Sequence, residues 1–243
     1  KGDTWNPACM LKLKGPNCPE AEGPDYDFGA SIILATKSNG DDIVLAGQKS
    51  GALFGMDPDT GKMLWRNKIG RGGIQGGVHL GMAASGGLVF APVSDMYYHW
   101  DDETYDTPPR PGLYAVDIDT GMLAWAWKPT EDTCKDRAFC NPGISAPPTV
   151  IGDYVMVGGL DGWLRVHDAR TGKIVWKMDS TVDIVGFNGV IGHGGSINGT
   201  GPVAHAGVIY LASGYGIYDH MPGNVILMFK PVRAGKVKSE LSK

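Results

Sequence analysis

Residues 42–65 read DIVLAGQKSGALFGMDPDTGKMLW, and the same unit returns further along the chain. The second copy is split: GLVFAPVSD begins at Gly87, and GLYAVDIDTGMLAW ends at Trp125. The third, DYVMVGGLDGWLRVHDARTGKIVW, runs from Asp153 to Trp176. A fourth starts as GVIYLASGYG at Gly207 and resumes as GNVILMFKP at Gly223, without the Thr-Gly turn or the Trp. The anchors Asp57, Thr60, Gly61 and Trp65 align with Asp117, Thr120, Gly121 and Trp125, and again with Asp168, Thr171, Gly172 and Trp176. The repeat is therefore a unit of roughly 50–60 residues.

Each unit reads as antiparallel strands. VLAG, ALFGMD and MLW are short β-prone runs separated by Gly or by Asp-x-x-Thr-Gly turns. In such a turn Asp accepts local backbone hydrogen bonds, and Gly takes the positive-φ position. The Trp that follows is large and apolar and can pack against the neighbouring unit. No segment sustains a 3.6-residue apolar period, so no long helix is expected. Repeated four-stranded sheets of this length point to an all-β propeller, with units at about 30–70, 80–128, 145–180 and 200–232 and a connecting segment 1–29. Two longer inserts, 96–110 and 131–143, break the pattern and are either site-shaping or plain surface loops.

Composition agrees and excludes other classes. The chain has 243 residues, 37 Gly and 16 Pro, scattered between β-rich runs as many tight turns require. The net charge is −4, and the one basic cluster, Lys236, Lys238 and Lys243 mixed with Glu240, reads as a solvated tail; no nucleic-acid partner is expected. No apolar stretch approaches the ~18 residues of a membrane span. The chain begins at Lys1 with no signal-peptide pattern, as expected of a processed protein or a fragment. The four cysteines fall in two local pairs, Cys9 with Cys18 and Cys134 with Cys140. They read as two disulfides of an oxidising compartment, periplasmic or secreted; the competing reading is free buried thiols.

The repeat ending in Asp-x-x-Thr-Gly-(Lys)-x-x-x-Trp resembles the tryptophan-docking motif of the pyrroloquinoline quinone (PQQ) dependent alcohol dehydrogenases, which fold as eight-bladed propellers. GPDYDFGASIIL, AGQKSGALFGMDPDTGKMLW and GRGGIQGGVHLGMAASGGLVFAPVSD resemble the polyvinyl alcohol dehydrogenase branch. The resemblance implies about four blades of an eight-bladed ring, a C-terminal half whose N-terminal half is missing from this sequence. It implies PQQ and Ca2+ as cofactors, a small or polymeric alcohol as substrate, and a c-type cytochrome as electron acceptor. The family's adjacent paired cysteines, and a Glu and an Asn that usually ligate calcium, have no match here.

Carried over residue by residue, the resemblance puts the catalytic base and calcium ligand at Asp27, between Tyr26 and Phe28, with Asp25 as the near competitor. Such a base takes the hydroxyl proton while hydride passes to the cofactor. From residue types alone both aspartates could equally be turn residues. Lys49, in GQKSG, matches the family's cation near the quinone oxygens, where it would stabilise developing negative charge; otherwise it is a hairpin-tip lysine. Further cofactor contacts are expected at Ser94, Asp95, Ile144 (within Gly143–Ser145) and Tyr215, with Tyr218 nearby. The six histidines are dispersed without metal-ligand spacing; His193, in GHGG, is the most site-like, though a satisfied structural histidine is the competing reading. A non-catalytic propeller scaffold, such as an outer-membrane assembly factor, and an inactive truncated quinoprotein remain the alternatives.

Overall fold

In a computed structural model, residues 5–10, 14–21, 23–96 and 107–230 are described. Most of the 96–110 insert, His99 and the basic tail with Lys236, Lys238, Glu240 and Lys243 lie outside them. Among the described residues, apart from one short 3-10 turn at Pro7–Met10, every element is a β-strand.

The first sheet comprises β1 (Ile33–Thr36), β2 (Asp42–Gly47), β3 (Ala52–Met56) and β4 (Met63–Lys68). The second comprises β5 (Ala83–Ser85), β6 (Leu88–Val93), β7 (Gly112–Asp117) and β8 (Leu123–Trp127), and the third β9 (Thr149–Ile151), β10 (Tyr154–Gly158), β11 (Trp163–Asp168) and β12 (Ile174–Asp179). All three are antiparallel meanders in chain order. A hairpin, β13 (Asp183–Val185) with β14 (Ile191–His193), leads to a final three-stranded sheet of β15 (Val203–His205), β16 (Val208–Ser213) and β17 (Val225–Phe229). This is the repeated-sheet architecture of a β-propeller.

The Asp-x-x-Thr-Gly turns are built from their own residues. Asp57 Oδ1 accepts from the Thr60 N–H (2.8 Å) and hydroxyl (2.7 Å), and Gly61 takes φ 69°. Asp117 with Thr120, and Asp168 with Thr171, repeat the arrangement. The Thr60 and Thr171 hydrogen bonds hold the Asp57 and Asp168 carboxyls below the usual range. A bulge precedes each turn, at Gly55/Met56, Ala115/Val116 and Val166/His167.

The core lies in the seams between sheets. The central strands are apolar on both faces, and side-chain alternation divides each between two seams. Val89, Ala91 and Val93 of β6 pack back on Ile43, Leu45 and Leu53 of the first sheet, while Phe90 packs forward with Val155 and Val157 of the third. Met156 and Leu164 then face Leu211 and Leu227 of the last sheet. The tryptophans lock successive units. Trp65 Nε1 donates to the Ile118 carbonyl (2.9 Å) and Trp125 Nε1 to the Ala169 carbonyl (2.9 Å). Trp176, which faces a unit lacking the turn, makes an edge contact with Phe229 and is 43% exposed.

Both local cysteine pairs are disulfides, Cys9–Cys18 and Cys134–Cys140. The second closes the 131–143 insert against the third sheet. Thr133 Oγ1 donates to Asp161 Oδ2 (2.5 Å), and Arg137 Nη1 donates to Thr181 Oγ1 (2.5 Å). Asp161 is itself paired with buried Arg165 at 2.5 Å, beneath the Trp127 ring.

Candidate active site

The end of the sheets opposite the Asp-x-x-Thr-Gly turns carries a belt of backbone hydrogen bonds linking one unit to the next. The N–H of Lys49 donates to the Asp27 carbonyl (3.0 Å), Ser94 to Gly77 (3.1 Å), Leu160 to Gly143 (2.9 Å) and Gly214 to Ser196 (3.1 Å). Interleaved with these, Val78 N–H donates to Gln48 (3.2 Å), Ile144 to Val93 (3.1 Å) and Ile197 to Gly159 (3.0 Å). The register makes Asp27, Gly77, Gly143 and Ser196 equivalent positions. Two residues on, Gly29, His79, Ser145 and Asn198 are equivalent too. Val78, Ile144 and Ile197 anchor the belt as fully buried residues, so the residue after each is presented at the same edge.

Lys49 leaves this belt at the β2–β3 turn, and its ammonium lies between two carboxylates. Nζ is 2.6 Å from Asp25 Oδ1 and 3.3 Å from Asp27 Oδ2. The Asp25 and Lys49 side chains are each 9% exposed, whereas that of Asp27 is 52% exposed. Burial raises the Asp25 carboxyl above its usual range, assisted by the Asp27 carboxylate and opposed by Lys49. Phe28 stacks obliquely on Phe54, fixing the start of the GASIIL segment. A Cβ at Gly29 would lie 2.6 Å from the His79 carbonyl oxygen, so glycine there lets the two segments meet.

His79 continues the cluster into the next unit. Its Nδ1 is 2.7 Å from Ser145 Oγ, and burial together with the Lys49 charge pushes its pKa down to about 4. The ring is therefore neutral near pH 7. Asn198 Nδ2 donates to His220 Nδ1 (2.9 Å), and burial pushes His220 down to about 4 as well.

The other sequence candidates have different surroundings. The Asp95 carboxylate accepts four backbone N–H groups, from Arg71 (2.6 Å), Gly72 (3.1 Å), Gly77 (2.8 Å) and Arg110 (2.9 Å), and so ties the GRGG loop to the belt. Ser94 donates its hydroxyl to the Gln75 carbonyl. Ile144 has its side chain in the core, and Tyr215 is 58% exposed. His193 Nδ1 lies 2.8 Å from the Gly194 carbonyl. The structure thus brings Asp25, Asp27 and Lys49 together and adds His79 and Ser145. The signal for these two was a recurring small–aliphatic–polar tripeptide: Gly-Val-His at 77–79, Gly-Ile-Ser at 143–145 and Ser-Ile-Asn at 196–198.

Calcium needs six to eight oxygen ligands. Asp25 and Asp27 supply part of such a shell, but among the described residues no group of three or more His, Cys, Asp or Glu side chains could hold a metal. These residues by themselves do not fit a calcium ion. A quinone fits the donor set better, since Lys49 offers a buried ammonium to carbonyl oxygens that gain negative charge.

A family model described as outer membrane protein assembly factor BamB matches residues 49–216. The polyvinylalcohol dehydrogenase of Sphingopyxis sp. (strain 113P3) is 35% identical over 218 residues, covering 88% of this chain and 33% of that protein. The polyvinylalcohol dehydrogenase of Pseudomonas sp is 33% identical over 229 residues, covering 89% of this chain and 34% of that protein. The chain spans about a third of the length of these curated relatives. The crystal structure of quinohemoprotein alcohol dehydrogenase from Comamonas testosteroni superposes with a TM-score of 0.53 at 18% identity, over 80% of this chain and 36% of that one, and shares the fold. Repeat, fold and family model agree: the chain belongs to the PQQ-repeat β-propeller family, and within it is similar to the polyvinylalcohol dehydrogenases.

Proposed function

We propose that this chain is part of a PQQ-dependent dehydrogenase that oxidises a secondary or polymeric alcohol to the carbonyl. The observation that carries the reading is the Lys49 ammonium held between Asp25 and Asp27. A scaffold has no need of a buried cation clamped between two carboxylates. Asp27 is the base: its half-exposed carboxylate is reachable and takes the hydroxyl proton. Asp25 is a positioning residue, since its short bond fixes where the Lys49 charge stands. Lys49 in turn stabilises negative charge developing on the quinone oxygens. When bound, PQQ supplies the acceptor for the hydride leaving the carbinol carbon. His79, neutral and hydrogen-bonded to Ser145, borders the same space without adding charge.

In this reading 1–29 delivers Asp27 to the units at 30–70, 80–128, 145–180 and 200–232. A calcium ion beside Asp27 would need more oxygen ligands than Asp25 and Asp27 provide, and the other blades of an eight-bladed ring would have to supply them. Ser94, Asp95 and Ile144 contribute to the cofactor's surroundings mainly by shaping the belt, and Tyr215, exposed beside Gly214, is a cofactor contact at its rim. Electrons pass on to a c-type cytochrome. The two disulfides support a periplasmic or secreted protein, and among the described residues no helix is long and apolar enough to cross a membrane.

The test reconstitutes the full-length protein carrying this chain with PQQ and calcium and follows alcohol-dependent reduction of an artificial dye, beside Asp27→Asn. Dye reduction that needs PQQ and is lost in the variant is the expected result. A folded protein that takes up no PQQ would move the assignment to a non-catalytic scaffold, the reading favoured by the description of the matching family model.

A further inference from the structure

Asn198 stands at the belt position equivalent to His79 and Ser145, and it carries a polar pair that the reading above does not use. Its Nδ2 meets His220 Nδ1 at 2.9 Å. His220 is 6% exposed, and a Cβ at Gly216 would lie 2.7 Å from the His220 Cβ, so the ring is held closely. The remaining polar atoms of the pair, Asn198 Oδ1 and His220 Nε2, are buried and have no hydrogen-bond partner among the described residues. Buried polar atoms are rarely left in this state.

The tautomer defines what could satisfy them. An amide N–H donated to Nδ1 leaves that nitrogen unprotonated, so the neutral ring carries its proton on Nε2. The pair then offers one donor, Nε2–H, and one acceptor, Oδ1. Turning the amide over exchanges the roles but again leaves one donor and one acceptor. A hydroxyl group, with a proton and lone pairs on one atom, satisfies both. A carboxylate brings no proton for the acceptor, and an ammonium brings no lone pair for the donor.

We propose that Asn198 and His220 form a hydroxyl-binding notch in the same site as Lys49, selecting substrates that carry a second hydroxyl over mono-alcohols of the same skeleton. The proposal rests on the reading of Asp27 and Lys49 as the end of the site where the reacting carbinol binds. The belt supports it, because His79 and Ser145 lie between Lys49 and Asn198 in the register. His79 bonds Ser145 across one seam, and Asn198 stands at the equivalent position of the next.

The experiment measures binding of pentane-2,4-diol and pentan-2-ol to the full-length protein by calorimetry, with 15N-labelled histidine resonances reporting contact at His220 Nε2. The diol should bind at least about tenfold more tightly, as expected of a site built to hydrogen-bond a hydroxyl, and should shift the His220 Nε2 resonance. Asn198→Leu removes the acceptor and should bring the diol-to-alcohol ratio close to one. His220→Gln keeps a donor and should retain part of it, which separates recognition from a folding defect. A wild-type ratio near one, or a ratio untouched in Asn198→Leu, overturns the notch and leaves it a site for internal water. Failure of the diol to bind overturns it too. Lys49→Met separates the two readings. Loss of both alcohols in Lys49→Met, with the ratio intact in Asn198→Leu, sinks the notch alone. Intact binding in Lys49→Met, with the ratio collapsing in Asn198→Leu, sinks the placement of the reacting carbinol at Lys49 and keeps the notch.

Discussion

The indole of Trp125 lies on Gly172 of the following sheet: a Cβ placed on Gly172 would come 2.5 Å from Trp125 Cε3. Trp65 stands in the same relation to Gly121, at 2.6 Å from its Cδ2. Gly121 and Gly172 therefore each have two tasks, a positive φ and a flat surface for the preceding unit's tryptophan. Gly61 separates them, because its φ is 69°, close to the 71° of Gly121, but nothing lies within 4 Å of its Cβ position. Gly61→Ala should cost about 1–2 kcal/mol from left-handed strain alone. Gly121→Ala should cost about 1–3 kcal/mol more through displacement of the indole. Urea denaturation of the two variants measures the difference directly.

The tryptophans themselves should not be equivalent. Trp125→Ala empties a docked seam and strands the Ala169 carbonyl, a loss of about 3–5 kcal/mol. Trp176→Ala should cost less, under ~2 kcal/mol, because its ring is 43% exposed and meets Phe229 only edge-on. Equal losses in urea midpoint would contradict this ordering.

The buried pair at the candidate site should dominate its stability effects. Lys49→Met leaves Asp25 buried without its cation and should cost about 3–5 kcal/mol near neutral pH. Asp25→Asn in the Lys49→Met background should recover much of that loss. Asp27→Asn, at a half-exposed carboxylate, should change stability by under ~1 kcal/mol. A double-mutant cycle read by chemical denaturation checks all three.

Acid should unfold the protein partly through its histidines. His79, His167 and His220 are each pushed down to about 4, with burial the largest cause. The unfolded chain takes up these protons first, so stability is full above pH ~6.5 and falls as pH drops toward 4, by up to ~1.4 kcal/mol per pH unit for each ring. Asp25 acts in the opposite sense: its raised value favours the protonated folded state, a contribution present at low pH and lost as pH rises. His167 donates Nδ1–H to the Gly172 carbonyl and stacks on Trp125, away from the candidate site. Replacing it with Gln should remove about one proton from the slope of stability against pH, measured from urea midpoints between pH 7.5 and 4.5.

Much of the fold was legible because its signals are local. Asp57, Thr60 and Gly61 lie within five residues and close their turn by themselves, so three copies of the turn announce three units. Each disulfide likewise joins cysteines at most nine residues apart. Lys49 and Asp27 could be paired in sequence only through a family resemblance, because the contact that joins them spans 22 residues.

What sequence left open depended on which neighbours the packed units bring to one edge. Asp25 and Asp27 look alike in GPDYDFG, yet packing buries one against Lys49 and leaves the other half exposed. Asp95 looks like a free acidic side chain after a strand, but the donors that occupy it come from residues 71, 72, 77 and 110. His79 meets Ser145 across 66 residues, and Asn198 meets His220 across 22. Turn chemistry is encoded within a few residues by hydrogen-bonding side chains and permissive glycine. Burial and the pairing of charges are set only when sheets stack and water leaves the seams, so the repeat belonged to the sequence and the site to the tertiary structure.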